Sequence, residues 1–193
     1  MQLTILQKLI KHLKNLFKKL KRTDQQISFH SLDDSHKSLL DLFSCSDEEL
    51  DNYLKNDAFS EQSKNFSRVF LGINISGQLV SYFSLSATSL TKMDLPKSNR
   101  PPYPLAPVVL IGRLAVDSRF QNQGFGKRTL VEILDKYTKA CGLIGSTALI
   151  VESYDDAVEF YKKYRFKVIN TKKNRDKTIT TLYLLTETII NEL

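Results

Sequence analysis

The hydrophobic positions along this chain change period several times, and each change marks an element. From residue 3 to 21, Leu6, Leu9, Leu13, Leu16 and Leu20 recur three and four apart, with Ile10 and Phe17 widening the stripe. That spacing predicts an amphipathic helix roughly 30 Å long with lysines on its other face. Ile27 to Leu32 reads as a short strand. Ser46-Asp47-Glu48-Glu49 reads as a helix start, Ser46 capping and Glu49 sitting where a capping box needs it, with the helix running to about Lys55. Ser60 to Phe66 is polar and either continues that helix or loops out. Arg68 to Ile75 and Gln78 to Ala87 read as strands around a Ser76-Gly77 hairpin turn. Thr88 to Pro107 holds all five prolines. It is expected to be a long irregular connector bordering the substrate side.

The second half is denser. Val108 to Val116 is aliphatic or β-branched except for Gly112 and Arg113, as a buried strand would be. Asp117 and Ser118 break it. After Gln121-Asn122-Gln123-Gly124-Phe125-Gly126 the pattern becomes helical through Leu130, Ile133, Leu134 and Tyr137, and ends near Cys141-Gly142. Ser146 to Glu152 is another strand. Asp155 to Tyr164 is a helix with acids in its first turn, where the dipole favours them. Phe166 to Ile169 and Thr178 to Leu185 make a final pair of strands, joined by a basic loop from Thr171 to Lys177. No internal repeat or low-complexity tract appears, and 193 residues suit one domain.

Charge divides the chain unevenly. The net charge is +7, but residues 1–25 hold seven lysines or arginines and one acid, Asp24. The other 168 residues hold 21 bases against 20 acids. The first segment, residues 1–25, therefore reads as an appended basic helix, and residues 26–193 as the domain proper. Packing on its own domain or on a second copy, contact with an RNA backbone, and a membrane surface or partner protein all fit such a helix. Two cysteines without metal or redox spacing suit a reduced, cytoplasmic setting, and three scattered histidines argue against a metal site. No transmembrane run and no signal peptide with an uncharged apolar core is present.

The loop at Gly124 and Gly126 carries the first chemical signal. Glycines two apart at a helix start let the backbone approach a ligand and aim its N–H groups at it, and the helix dipole favours an anion such as a pyrophosphate. Neither a Gly-Lys-(Ser/Thr) ending nor a third glycine at dinucleotide spacing follows. The pattern (Gln/Arg)-x-x-Gly-x-(Gly/Ala), after a strand ending in Leu114-Ala115-Val116, resembles the acetyl-CoA loop of the GNAT superfamily of N-acyltransferases. A second stretch, Ala157-x-x-Phe160-Tyr161-x-x-Tyr164-Arg165-Phe166, is similar to the Ala-x-x-Phe-Tyr-x-x-x-Gly-Phe motif of the same superfamily. Arg165 stands where that motif has glycine. The ordered pieces Phe43 to Leu54, Ser67 to Phe70, Leu79 to Ser86, the proline-rich connector and Ile111 to Asp117 look like the GNAT toxins of bacterial toxin–antitoxin pairs.

That resemblance implies an α+β fold with a mixed, mostly antiparallel central sheet, splayed at the acetyl-CoA site and flanked by helices, with the N-terminal helix as an addition. It implies an acetyl-CoA-dependent N-acetyltransferase without a metal. Tyr161 would protonate the leaving thiolate, a phenol of pKa about 10 facing a thiol of about 8.5. Pyrophosphate would rest on the main chain of Gln121, Asn122, Gln123, Gly124, Phe125, Gly126 and Lys127. The pantetheine arm would pair with Leu114, Ala115 and Val116. The acceptor would be the α-amine of aminoacyl-tRNA, and the partner a small ribbon-helix-helix antitoxin; a homodimer also fits. The other reading is a GNAT enzyme acting on a protein N-terminus or a small amine. A catalytically dead coenzyme-binding module is disfavoured by the presence of Gly124, Gly126 and Tyr161.

The residues near these motifs add two expectations. No carboxylate sits in the central strand, and Glu152 is the one nearby base candidate. That suits an α-amine with pKa near about 8, substantially neutral at pH 7. Arg113 is odd in a buried strand; it either pairs with an acid such as Asp117 or Asp94 or grips substrate. Lys162 and Arg165 head a run of basic residues that is either a solvated face or the rim of an acceptor cleft for RNA.

Overall fold

The computed structural model describes residues 26–174 and 177–192. The basic N-terminal helix expected over residues 3–21 lies outside the described residues. Seven strands form one sheet in the order β1-β2-β3-β4-β5-β7-β6: β1 Ile27–Ser31, β2 Arg68–Asn74, β3 Leu79–Thr91, β4 Leu105–Val116, β5 Ala148–Tyr154, β6 Lys167–Asn174 and β7 Lys177–Leu185. Only β4 and β5 run parallel; the other neighbours are antiparallel. This is the mixed, mostly antiparallel sheet that the sequence implied.

Alternation along the strands sorts their side chains onto two faces. Val109, Ile111, Leu149, Val151, Leu182 and Leu184 point to one face, under α4 (Phe125–Cys141), α5 (Asp155–Lys163) and α6 (Thr186–Glu192). On the other face, α1 (Lys37–Leu40), α2 (Glu48–Asn52) and α3 (Ala58–Ser63) cover Val69, Leu71, Tyr82 and Ala115. The connector covers Val108, Ala148, Ile150 and Tyr183 beside them, with Leu95 inserted. Thr129 fixes α4 to the sheet, its hydroxyl 2.8 Å from Ser81 Oγ and bonded also to the Phe125 carbonyl.

Several local expectations change. The cap of α2 is Asp47, which accepts from the Glu49 and Leu50 amides; Ser46 is left-handed at φ 68° and bonds Ser118 instead. The helix does not stop near Lys55 but passes through a π-helical turn, Tyr53–Asp57, into α3. The connector is shorter than expected, because β3 extends to Thr91 and Pro107 sits within the ladder opposite Ser89. It meets the N-terminal end of β4, away from the end where the sheet opens. The basic residues Lys172 and Lys173 lie on edge strand β6, where lysines discourage further strand pairing. Helix α6 had no separate sequence signal.

Gly72 marks the tightest point of the sheet. A Cβ there would stand 2.6 Å from Ser81 Oγ, 2.7 Å from Ile27 Cδ1 and 2.8 Å from Phe29 Cε1, beside a register shift between Gly72 and Ile73. Overpacking of this kind costs about 1–3 kcal/mol. Gly72→Ala is expected to lower the unfolding free energy by that amount in urea denaturation, and an unchanged midpoint would contradict this packing.

Candidate active site

The site begins where β4 and β5 part. Their parallel pairing covers only Val108 to Ile111 against Ala148 to Val151, although β4 continues to Val116 and β5 to Tyr154. Beyond Ile111, β4 keeps only its β3 neighbour. The Asp117 N–H bonds the Val80 carbonyl, and Ala115 stands opposite Tyr82, so alternation turns the main-chain groups of Ala115 toward β3. Those of Leu114 and Val116 face the open side. Of the three residues expected to pair a pantetheine arm, Leu114 presents both main-chain groups, Val116 presents its N–H while its carbonyl accepts from Gln121 Nε2, and Ala115 is occupied.

The loop after β4 is built around Asp117, which the sequence offered as a strand breaker and as a possible partner of Arg113. Its carboxylate accepts from Arg119 Nε and Nη2, both at 2.8 Å, from the Arg119 amide at 2.9 Å and from the Ser44 amide at 3.2 Å. Burial pushes this carboxyl up, but those hydrogen bonds outweigh it and hold it below the usual carboxylate range. Gln121 Nε2 donates to the Cys45 carbonyl at 3.0 Å and the Val116 carbonyl at 3.1 Å, so its side chain braces the loop. Gln123 does the same to the Arg119 carbonyl.

Asn122 at φ 60° and Gly124 at φ 86° then swing the chain into α4. The first hydrogen bond into that helix runs from the Arg128 amide to the Gly124 carbonyl, so the amides of Phe125, Gly126 and Lys127 point out of the helix end. A Cβ at Gly126 would lie 3.6 Å from Phe160 and 3.8 Å from Val116, which places this turn between α5 and the free edge of β4. Desolvation, with Lys163 nearby, pushes the Lys127 ammonium down. Outward amides, a helix dipole and crowded ammonium groups make a receptor for a diphosphate.

Tyr161 stands on α5, 5% exposed, its ring against Phe160 and Phe166 at centroid distances of 5.1 and 5.4 Å. Its hydroxyl makes no hydrogen bond to the described residues. Burial alone drives the phenol above its ordinary value. It is a donor that stays protonated throughout the physiological range. Arg165 takes up the left-handed position at φ 69° where the motif has glycine, and the turn into Phe166 still closes through the Tyr161 carbonyl.

Arg113 leaves β4 on the opposite face. Neither expected acid pairs with it: Asp117 is taken by Arg119, and no bond to Asp94 forms. Its Nη1 bonds the neighbouring Gly112 carbonyl at 2.9 Å, its guanidinium lies 4.7 Å from the Tyr53 ring centroid, and its buried Nε has no partner. Lys162 pairs with Glu159 at 2.8 Å on the surface of α5, the solvated-face reading of that run. Glu152 is exposed on β5. Cys45 is no nucleophile; burial, with Asp51 beside it, pushes its thiol up to about 12. Among the described residues no cluster of His, Cys, Asp or Glu could hold a metal ion, and no helix is long and apolar enough to cross a membrane.

This geometry agrees with the family comparison: the model of the acetyltransferase (GNAT) domain matches residues 21–184. The chain belongs to the GNAT acetyltransferase family. A tRNA-acetylating toxin of Mycobacterium tuberculosis (strain ATCC 25618 / H37Rv) is 31% identical over 131 residues, 67% of this chain and 78% of that one. A crystal structure of a point mutant of KacT superposes with a TM-score of 0.76 at 24% identity, covering 88% of this chain and 100% of that one. AtaTR bound with acetyl-CoA superposes with a TM-score of 0.70 at 25% identity, over 87% and 98%. The enzyme is thus an acetyl-CoA-dependent N-acetyltransferase.

The Asp117 network yields a stability test with a defined sign. A carboxyl whose folded pKa is depressed contributes stability above its unfolded pKa of about 3.9 and loses it as pH falls through the lower folded value. Asp117→Asn is expected to cost about 1–3 kcal/mol at pH 7, the loss typical of a broken buried charged hydrogen-bond set. The gap between variant and wild type should narrow below pH 4, as read by urea titration at several pH values.

Proposed function

We propose that this enzyme acetylates the α-amine of aminoacyl-tRNA and so acts as a translation-blocking toxin. The observation that carries this reading is the 31% identity to a tRNA-acetylating toxin over 131 residues, 67% of the chain. The absence of a carboxylate in β4 supports it, because an α-amine of pKa about 8 needs less help to lose its proton than a lysine of about 10.4. In this reading residues 26–193 are the catalytic domain and residues 1–25, with their net charge of +6, are an added segment drawn to the RNA backbone. A ribbon-helix-helix antitoxin is the partner that such a toxin requires.

The residue assignment follows the same lines. Acetyl-CoA lies with its diphosphate on the amides of residues 121–127 and its pantetheine arm along Leu114 to Val116, added to the free edge of β4 like a short strand. The thioester then sits at the divergence of β4 and β5. The neutral amine approaches from the face bearing Arg113 and attacks the carbonyl carbon, forming the C–N bond. As the C–S bond breaks, negative charge grows on sulfur, and the Tyr161 hydroxyl donates to it. A phenol pushed up by burial is a weak acid, but a hydrogen bond to a developing thiolate needs donation, and full transfer follows when the apolar site raises the thiol as well. Arg113, on that face, holds a phosphate of the acceptor end, whereas Lys162, paired with Glu159 on α5, belongs to the solvated face.

Incubation with acetyl-CoA and a panel of charged tRNAs, peptides and polyamines tests the substrate. N-acetylated aminoacyl-tRNA is expected, and acetylation confined to peptides or polyamines would overturn the reading. Tyr161→Phe is expected to reduce kcat by roughly 10²–10⁴-fold with little change in Tm, because no protein hydrogen bond is lost. A variant at full rate would remove the assignment.

A further inference from the structure

A second group of polar side chains meets on the face that carries Arg113, and the donor-side machinery leaves it unused. Tyr154 lies on β5 three residues past the last β4–β5 pair, and alternation sends its ring to that face. Its hydroxyl donates to Glu49 Oε2 at 2.8 Å, across 105 positions of sequence. Lys177, at the start of β7, places its ammonium 3.7 Å from the same oxygen and 4.4 Å from the Tyr154 ring centroid. The second carboxylate oxygen of Glu49 has no partner among the described residues. Beside it opens a cavity of about 490 Å³ lined by Ser46, Asp47, Glu48, Glu49, Asn52 and Lys177, with no apolar side chain.

We propose that Glu49 is the group that takes the proton from the acceptor ammonium, and that Tyr154 positions it. The proposal rests on the amine-acetyltransferase reading and names the missing base of that reaction. One proton passes from the –NH3⁺ group to the free Glu49 oxygen, leaving a neutral amine whose lone pair attacks the thioester carbon. The resulting carboxylic acid returns the proton to solvent through the open cavity. Tyr154 cannot take this role: the Glu49 carboxylate beside it pushes the phenol up, so it remains a donor. Asp47 spends its carboxylate on the α2 cap. Among the described residues, the remaining charged groups beside Glu49 are Glu48 and Lys177, which line the same cavity, and Arg113, which acts on the neighbouring Tyr154.

The test measures kcat/KM for a charged tRNA from pH 6.5 to 9 in wild type, Glu49→Gln and Tyr154→Phe, with KM for acetyl-CoA and Tm as controls. Glu49→Gln is expected to lose about tenfold at pH 6.5 and to recover to within twofold at pH 9, where an α-amine of pKa about 8 loses its proton unaided. Tyr154→Phe should lose less, with the same recovery, and KM for acetyl-CoA should not move in either. A deficit independent of pH, or an unchanged rate, would overturn the proposal and leave the Tyr154–Glu49 bond as a brace. If wild type acetylates only peptides or polyamines, the same pH comparison on that acceptor separates failure of the substrate reading from failure of the Glu49 role.

Discussion

The parallel pairing of β4 with β5 lasts four residues, and the chemistry of this protein depends on its ending there. A paired strand hides its N–H and C=O groups; an unpaired one in a buried sheet must find them partners or leave them for a ligand. From Gly112 onward β4 keeps β3 on one side and offers Leu114 and Val116 on the other. The apolar layers under Val108 to Ile111 hold the joined half firmly, so the divergent half is fixed in place rather than floppy.

The two faces of the opening are tied together by a short piece of chain. Ser44 and Cys45 sit between two acids, one buried and one half-buried: Asp117 accepts from the Ser44 amide, and Asp51 accepts from the Cys45 amide and the Ser44 hydroxyl. Ser118 bonds the Ser44 carbonyl and Gln121 the Cys45 carbonyl. The glycine loop after β4 and the start of α2 therefore share one support. Each of these hydrogen bonds is modest, but both carboxyls are held below their ordinary values despite burial, so the acids stay charged where they are needed.

Burial has the opposite effect on the phenols. Tyr161, Tyr82 and Tyr137 are all pushed up by desolvation, which keeps them as donors. Tyr82 and Tyr137 spend their hydroxyls on the protein, the first on the Leu50 carbonyl at 2.7 Å and the second against Ser146 and Thr186. Tyr161 spends its hydroxyl on nothing in the fold. Of these three, only Tyr161 keeps its hydroxyl uncommitted among the described residues. Arg113 is the matching case on the other face, a cation laid on Tyr53 with one nitrogen still unpaired.

Local pattern was enough for the strands from Arg68 onward, the helix after Gly126 and the diphosphate turn, because period, glycine placement and helix-end chemistry act over a few residues. It also carried the family resemblance, since Gly124 serves a left-handed backbone position and Phe160 and Tyr161 pack together in one aromatic cluster. It misread the cap at Ser46, where Asp47 had the better reach, and the prolines before Val108, where edge geometry let Pro107 join a ladder. The bond between Glu49 and Tyr154, the Arg119 partner of Asp117 and the four-residue extent of the β4–β5 pairing were beyond sequence reading. Each is decided by which strands become neighbours, and neighbours set by packing across a sheet leave no period in the chain.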